Sequence, residues 1–332
     1  MMRRADPFRA LVLVAAAVAV AMPAPATAQD ANFLVPIAEI ERILREGDMQ
    51  VLDVRPSRGL PGERTYRVTL QSGDHVLQVK YAPATEGADE FNNQPRYELA
   101  AYVVQALFLD EREMVVPPTA IRAFPIDVVR ETVARTGDTA VPPEPTFGEW
   151  PMTLVALQYW MFNVDLPDEL PDEDRIEEDE VYERLLGNFN LLTYIIRHSD
   201  SNEGNFVQSM DPAWPRVFSV DNGVAFASEP SNRGTQWRNL RLDRYSASAI
   251  ARLRGLSLEE LQARLGILVQ LELRDGNFVE VEPTENLDPG RGVRREGERI
   301  QLGLTEREIG AIHRRIVGLL ERVDDGRYEL IP

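Results

Sequence analysis

Two acids and an amide, Asp200, Asn205 and Asp221, stand within one short polar stretch of the chain. Asp200 lies in His198-Ser199-Asp200, Asn205 follows five residues later, and Asp221 opens Asp221-Asn222-Gly223 after the apolar run Val217, Phe218, Val220. Carboxylate and amide oxygens are the ligands that a hard dication such as Mg²⁺ or Mn²⁺ takes. A hairpin that brings Asn205 and Asp221 together offers such an ion two oxygens and leaves Asp200 to orient a hydroxyl group. Either half alone is equally an Asn, Asp and Gly turn between a helix and a strand. Both halves, in this order, are the parts for phosphoryl transfer.

One cation stands apart. Of the 36 basic residues, 35 are Arg and one, Lys80, is Lys, so chance places the lone Lys at any given basic position about one time in 36. It ends the run Val76-Leu77-Gln78-Val79-Lys80, which alternates as a strand does. An ammonium is a compact point charge that fits between phosphates and a carboxylate, whereas a guanidinium is wider and prefers planar bidentate partners. Glu98 follows eighteen residues later, near the start of a helical pattern opened by Pro95. It is either an acid favoured there by the helix dipole, worth about 0.3–1 kcal/mol, or the ion-pair partner of Lys80.

Together these residues resemble the protein-kinase-like superfamily, whose signature is H-R-D-x-x-x-x-N followed by D-F-G, with a lysine on a V-A-I-K strand. His198, Asp200, Asn205, Asp221 and Gly223 match position by position, while Ser199 and Asn222 replace the Arg and the Phe. With Val224, Ala225 and Phe226 behind it, Asp221-Asn222-Gly223 is more similar to the atypical branches: type II phosphatidylinositol 4-kinases, the Golgi casein kinase family and HipA-like kinases. The resemblance implies an α+β, two-lobed protein-kinase-like fold. A small antiparallel-sheet N-lobe with one main helix is expected over residues 29–157, and a mostly helical C-lobe over 158–332. It implies ATP and Mg²⁺ or Mn²⁺ as cofactors.

In that arrangement Lys80 grips the nucleotide phosphates, Glu98 holds Lys80, Asn205 and Asp221 hold the cation, and Asp200 takes the acceptor's proton. Backbone near Leu157, Gln158 and Tyr159 meets the adenine edge. Tyr159 and Trp160 are candidate walls, although buried aromatics are more often core. Protein kinases usually carry a Lys two residues after the catalytic Asp. Asn202 stands there, so Arg64 or an Arg of residues 238–244 has to serve the terminal phosphate.

The elements that must position these groups follow in order. Ile37, Ile40, Ile43 and Leu44 have helical spacing and predict a short packing helix over 36–46. Residues 50–54, 65–70 and 76–81 alternate as three antiparallel strands. The first turn, Gly59-Leu60-Pro61-Gly62, can lay backbone N–H groups over phosphates from Gly59 and Gly62, or be an ordinary hairpin loop. Arg58 and Arg64 flank it, within reach of phosphate oxygens or as solvated charges. Leu99, Tyr102, Val103, Ala106 and Leu107 give the helix of Glu98 its apolar face. Residues 115–120 read as a short extended segment, 128–135 as a short helix, and the apolar run Met152 to Phe162 as a central strand that would join the lobes.

Residues 165–180 hold ten acids against Arg175 alone, a run that is usually a solvated face or a helix start and less often a site for metal or basic substrate. Val181 to Arg197 is a helix leading into His198. Three Arg among Trp, Leu and Tyr between 237 and 245 make the best local basic patch. Leu256 to Leu273 and Leu304 to Arg322 read as amphipathic helices with capping boxes at Ser257 and Thr305. Residues 278–281 and 299–302 read as strands. There is no internal repeat or low-complexity linker.

Arg3, Arg4 and Arg9 precede an apolar run from Ala10 to Met22, and Ala26-Thr27-Ala28 follows, so residues 1–28 read as a signal peptide cleaved near Ala28. The run is short for a spanning helix. A periplasmic or secreted monomer with no membrane span in the mature chain is expected. The formal charge of −18 becomes more negative without the leader, which argues against nucleic acid as a partner. The absence of cysteine excludes thiolate metal sites, and three His well separated in sequence argue against a His-rich one. The expected partner is a hydroxyl-bearing acceptor on a protein, lipid head group, glycan or small molecule. ATP is scarce outside the cytoplasm, which keeps two alternatives open: a nucleotide-binding pseudokinase with a regulatory envelope role, and an AMP transferase on the same fold.

Overall fold

The computed structural model of this chain describes residues 30–58, 64–90, 94–137, 141–201, 203–226 and 236–332. The expected leader, Gly59, Gly62 and Asn202 lie outside them. The three early strands form as β1 (Gln50–Pro56), β2 (Tyr66–Ser72) and β3 (His75–Pro83). Strand periodicity sorts β3 into two faces. Leu77, Val79 and Tyr81 are buried, and helix α1 (Ile37–Glu46) covers that face with Ile37, Ile40, Ile43 and Leu44. Gln78 and Lys80 therefore point to the other side.

The sheet is wider than the three strands anticipated. After helix α2 (Pro95–Gln105), β4 (Thr119–Pro125), helix α3 (Ile126–Ala134) and β5 (Met152–Tyr159), the strand order is β1-β2-β3-β5-β4. All four pairings are antiparallel. Every residue of β5 is buried, as a near-continuous apolar run requires of a central strand. It ends at Tyr159, three residues before the expected Phe162.

Helix α2 begins on Pro95, whose fixed φ and missing N–H suit a first turn, and nearly all of it is buried. Its end is tied by Gln105, which accepts from the N–H groups of Val115 and Val116 and donates to Val116 O, all at 2.7 Å. The acidic run builds caps, as its bland reading held. Asp172 caps α4 (Glu173–Glu178) and Asp179 caps α5 (Glu180–Ile195). Strands β6 (Val164–Asp165), β7 (Phe206–Ser209) and β8 (Val217–Ser219) form a small antiparallel sheet beyond α5.

Strand β9 (Arg244–Ser246) leads into α6 (Ala247–Arg254) and α7 (Leu258–Leu265). The helix expected from Leu256 to Leu273 stops at Leu265. The N–H of Gly266 bonds to Gln262 O, and Val269, Leu271 and Leu273 then alternate with polar residues in β10 (Val269–Arg274). With β11 (Asn277–Val281), β12 (Val293–Glu296) and β13 (Arg299–Leu302), β10 forms a second antiparallel sheet. Helix α8 (Glu306–Asp324) starts on a full capping box between Thr305 and Glu308, and β14 (Glu329–Ile331) pairs with β9.

The second sheet makes the C-terminal half less helical than anticipated. Its Val269, Leu271, Ile300 and Leu302 share a core with Leu99 of α2, Ile121 of β4 and Leu154 of β5. Segments on both sides of the expected division at residue 157 thus bury one apolar surface. Helices α2, α5, α6, α7 and α8 pack in another core. Asp30 pairs with the fully buried Arg216, which Phe33 and Phe218 flank, fixing the start of the described chain. Among the described residues no helix is long and apolar enough to cross a membrane.

Candidate functional site

Lys80 leaves the α2-facing side of β3, and Glu98 sits in the first turn of α2. Lys80 Nζ donates to Glu98 Oε1 at 2.8 Å and to Val220 O at 3.2 Å, and lies 3.5 Å from Asp221 Oδ1. The second oxygen of Glu98 accepts the backbone N–H of Asn222 at 3.0 Å. One carboxylate therefore holds both the lysine of the sheet and the turn that carries Asp221.

That turn is closed locally. Ser219 Oγ donates to Asn222 Oδ1 at 2.7 Å, and the side chain of Asn222 is fully buried. His198 Nε2 lies 2.9 Å from the carbonyl oxygen of Asp221. A carbonyl only accepts, so this ring nitrogen carries the proton. Burial pushes the His198 pKa down, so the ring acts as a neutral donor.

The hairpin of β7 and β8 supplies the other half. Val220 N–H donates to Asn205 O at 3.0 Å, which draws the start of β7 to the end of β8. Asn205 Nδ2 donates to the backbone oxygen of Asp200 at 2.8 Å and to its Oδ2 at 3.0 Å. The amide oxygen is thereby turned the other way, where it accepts from Arg58 Nη2 at 3.2 Å. The same nitrogen lies 3.6 Å from Asp221 Oδ2. Asn205 and Asp221 thus present oxygens to one shared positive group.

Electrostatics follow from this crowding. Burial alone lowers the pKa of Lys80, but the charges of Asp221 and then Glu98 outweigh it and raise the value, so the ammonium stays charged. Burial, with Asp221 nearby, pushes the Glu98 carboxyl up. For Asp221 burial acts upward, but Lys80 and then the hydrogen bond with Glu98 hold it below the usual range. Asp221 is the carboxylate that keeps its charge, and its side chain is 33% exposed.

The donors suit a small hard dication. The guanidinium of Arg58 already bridges Asn205 Oδ1 and Asp221 Oδ2, which marks the place as one that stabilises positive charge. Among the described residues no cluster of three or more His, Asp or Glu is built to hold an ion. Two protein oxygens are too few to complete the shell of such an ion, so a dication here would need further ligands from phosphate and water.

The structure thus brings together Lys80, Glu98, Asp200, Asn205 and Asp221, and it places several other candidates differently from what the sequence led one to expect. Arg64 does not reach them; it pairs with Glu90 at 3.2 Å at the surface, beside a cavity of 360 Å³ that contains none of these residues. Arg58, which the sequence left with Arg64 as either within reach of phosphate oxygens or a solvated charge, is the guanidinium at the site. Tyr159 is not a wall. It lies opposite Val79, on the α1 side of the sheet, where its ring packs on Phe33 at 5.6 Å and its Oη accepts from Leu34 N–H.

The N–H of Tyr159 is also committed, to Pro118 O at 2.9 Å. Gln158 lies opposite Lys80 and on its face, but it is buried and donates to Thr119 Oγ1 at 3.1 Å. The expected basic patch at 237–245 is partly spent on other partners. Arg244 pairs with Glu183 at 2.6 Å, and Arg241 donates to Gln236 Oε1 and stacks over Trp237. No protein-family model and no curated protein matches the sequence.

Proposed function

We propose that the chain is a phosphotransferase of the protein-kinase-like kind, moving the terminal phosphoryl group of ATP to a hydroxyl acceptor. The observation that carries this reading is the bridge made by Glu98, with Lys80 on one oxygen and the Asn222 N–H on the other, while Asp221 lies 3.5 Å from the lysine. A small antiparallel sheet with α2 packed against it, joined to a part rich in helices, agrees with the two lobes the sequence resembles.

Lys80 binds phosphate oxygens and keeps its charge because two carboxylates surround it. Asn205 Oδ1 and Asp221 Oδ2 would hold Mg²⁺ or Mn²⁺, which neutralises charge gathering on the transferred group. A dication there and the guanidinium of Arg58 exclude each other. Arg58, turned outward, is the cation nearest to hand for the terminal phosphate, where the sequence has Asn202 in place of a lysine. Asp200, oriented by Asn205 Nδ2, accepts the acceptor's proton. The acceptor oxygen forms its bond to phosphorus, the bond from phosphorus to the bridging oxygen breaks, and ADP leaves. Positioning and charge neutralisation supply most of the acceleration.

Product analysis tests the proposal. Incubation with ATP and Mn²⁺, followed by nucleotide chromatography and intact-mass measurement, is expected to give ADP, with phosphate on an acceptor or in solution. Pyrophosphate with an adenylyl adduct would replace this reading by AMP transfer. Nucleotide binding without turnover would replace it by a nucleotide-responsive regulator.

A further inference from the structure

We propose that Arg96 and Glu308 are a positioning pair: from helix α8 they fix α2 so that Glu98 rests on Lys80, making this ion pair a built-in feature of the fold. The consequence for turnover rests on the phosphotransferase reading above; the geometry does not.

Residues two apart on a helix lie about 200° apart around its axis. Glu98 faces Lys80, and Arg96 therefore faces away, toward the C-terminal half of the chain. There its guanidinium meets Glu308 as a fork, Nη1 to Oε2 at 2.8 Å and Nη2 to Oε1 at 3.0 Å. Nη2 also donates to Tyr97 Oη at 2.8 Å, and Tyr97 Oη donates to Glu308 Oε1. Arg96 is only 5% exposed, and two parallel hydrogen bonds fix orientation as well as distance.

Glu308 is itself held in place by hydrogen bonds. Its Oε2 accepts the Thr305 N–H at 2.7 Å in the capping box that opens α8. The surroundings are shaped to the guanidinium. A Cβ at Gly292 would lie 2.4 Å from Arg96 Cζ, so glycine there makes the room, and Gly303 O accepts from Nη1 at 3.3 Å. At its other end α2 is tied by Gln105 to Val115 and Val116. A helix held at both ends by buried polar contacts has no free swing, so Glu98 stays at Lys80 without an activating partner. Tyr97 adds a further contact, 5.3 Å from the ring of Phe226 just past the Asp221 turn.

The lone lysine gives a direct readout. Amine-directed acetylation followed by peptide mapping reports on Lys80 alone among the side chains, because no other lysine exists. Paired with two carboxylates and mostly buried, Lys80 is expected to react slowly in the wild type. Arg96→Met, Glu308→Gln and Gly292→Ala, which wedges a methyl group against the guanidinium, are expected to raise its labelling rate clearly above the wild type, because an α2 that shifts takes the Glu98 carboxylate off Nζ, now 2.8 Å away, and opens the amine to the reagent. They are also expected to lower kcat about 10²-fold, as an ångström of misplacement does, with a smaller change in the KM for ATP. Leu319→Ala, in the core of α8 away from this contact, should lower the melting temperature and leave Lys80 labelling unchanged.

Folded variants of Arg96, Glu308 and Gly292 that all label at the wild-type rate would overturn the proposal and reduce the pair to a brace. If Arg96→Met does not fold, Glu308→Gln, which preserves shape, carries the test. Faster labelling in a protein that never turns over ATP would keep the positioning pair and sink the phosphotransferase reading. Turnover with unchanged labelling would do the reverse.

Discussion

Lys80→Met is expected to lower phosphoryl transfer about 10²–10³-fold, the cost of removing one charge-stabilising donor from a preorganised site. The side chain is replaced by one of similar length, so the loss reports charge. Stability should change as well, because Glu98 and Asp221 are left as two carboxylates with no cation between them. Glu98 is the one that yields: burial and Asp221 already push its pKa up in the presence of the lysine. A group whose folded-state pKa is raised contributes stability at low pH that is lost as pH climbs through that value. The melting temperature of Lys80→Met, compared with the wild type, should therefore be most depressed near neutral pH and recover as pH falls. Lys80→Arg should keep more of the stability than Met and still lose most of the activity, since a planar fork does not replace a point charge. A Lys80→Met protein with wild-type turnover would remove the lysine from the mechanism.

Asp200→Asn is expected to reduce turnover about 10²–10⁴-fold, the usual contribution of a positioned proton acceptor. The substitution is nearly isosteric, and an amide oxygen can still accept from Asn205 Nδ2, which now meets Asp200 Oδ2 at 3.0 Å. Fold, nucleotide affinity and cation affinity should thus stay close to wild type while the rate falls. Loss confined to kcat separates a base from a binding residue. Equal activity in Asp200→Asn would transfer the role of the base elsewhere.

Much of the site was legible because its members announce themselves by type and local spacing. Asp200 and Asn205 are five residues apart on one loop, Asp221 follows the adjoining apolar strand, and Lys80 is conspicuous as the one lysine. The strand pattern around Lys80 and the helical pattern around Glu98 were enough to place both. What could not be read depends on contacts between distant segments. Arg58 meets Asn205 across 147 positions, and the sequence offers no reason to prefer it to Arg64.

The face of Tyr159 was hidden for a different reason. In a nearly all-apolar strand the alternation that separates two faces is lost, so only the pairing of Val79 with Tyr159 shows that the ring points away from Lys80. Residues 269–273 were read as helix because Leu and Val there continue an amphipathic run; pairing with β11 and β13 outweighed that local pattern. The tie between Arg96 and Glu308 spans 212 positions, and in the sequence Glu308 is marked only by the capping box it shares with Thr305.

The central claim is that Asp221 and Asn205 hold a cation that carries a nucleotide next to Lys80. Thermal unfolding of the purified chain with ATP, with Mg²⁺ or Mn²⁺, and with both, beside Asp221→Ala, tests it most directly. Ligand at a hundred times its dissociation constant stabilises the folded state by about 2.7 kcal/mol. The account predicts a clear rise in melting temperature that needs nucleotide and metal together and disappears in Asp221→Ala. No shift in any condition, or a shift that persists in the variant, would contradict it.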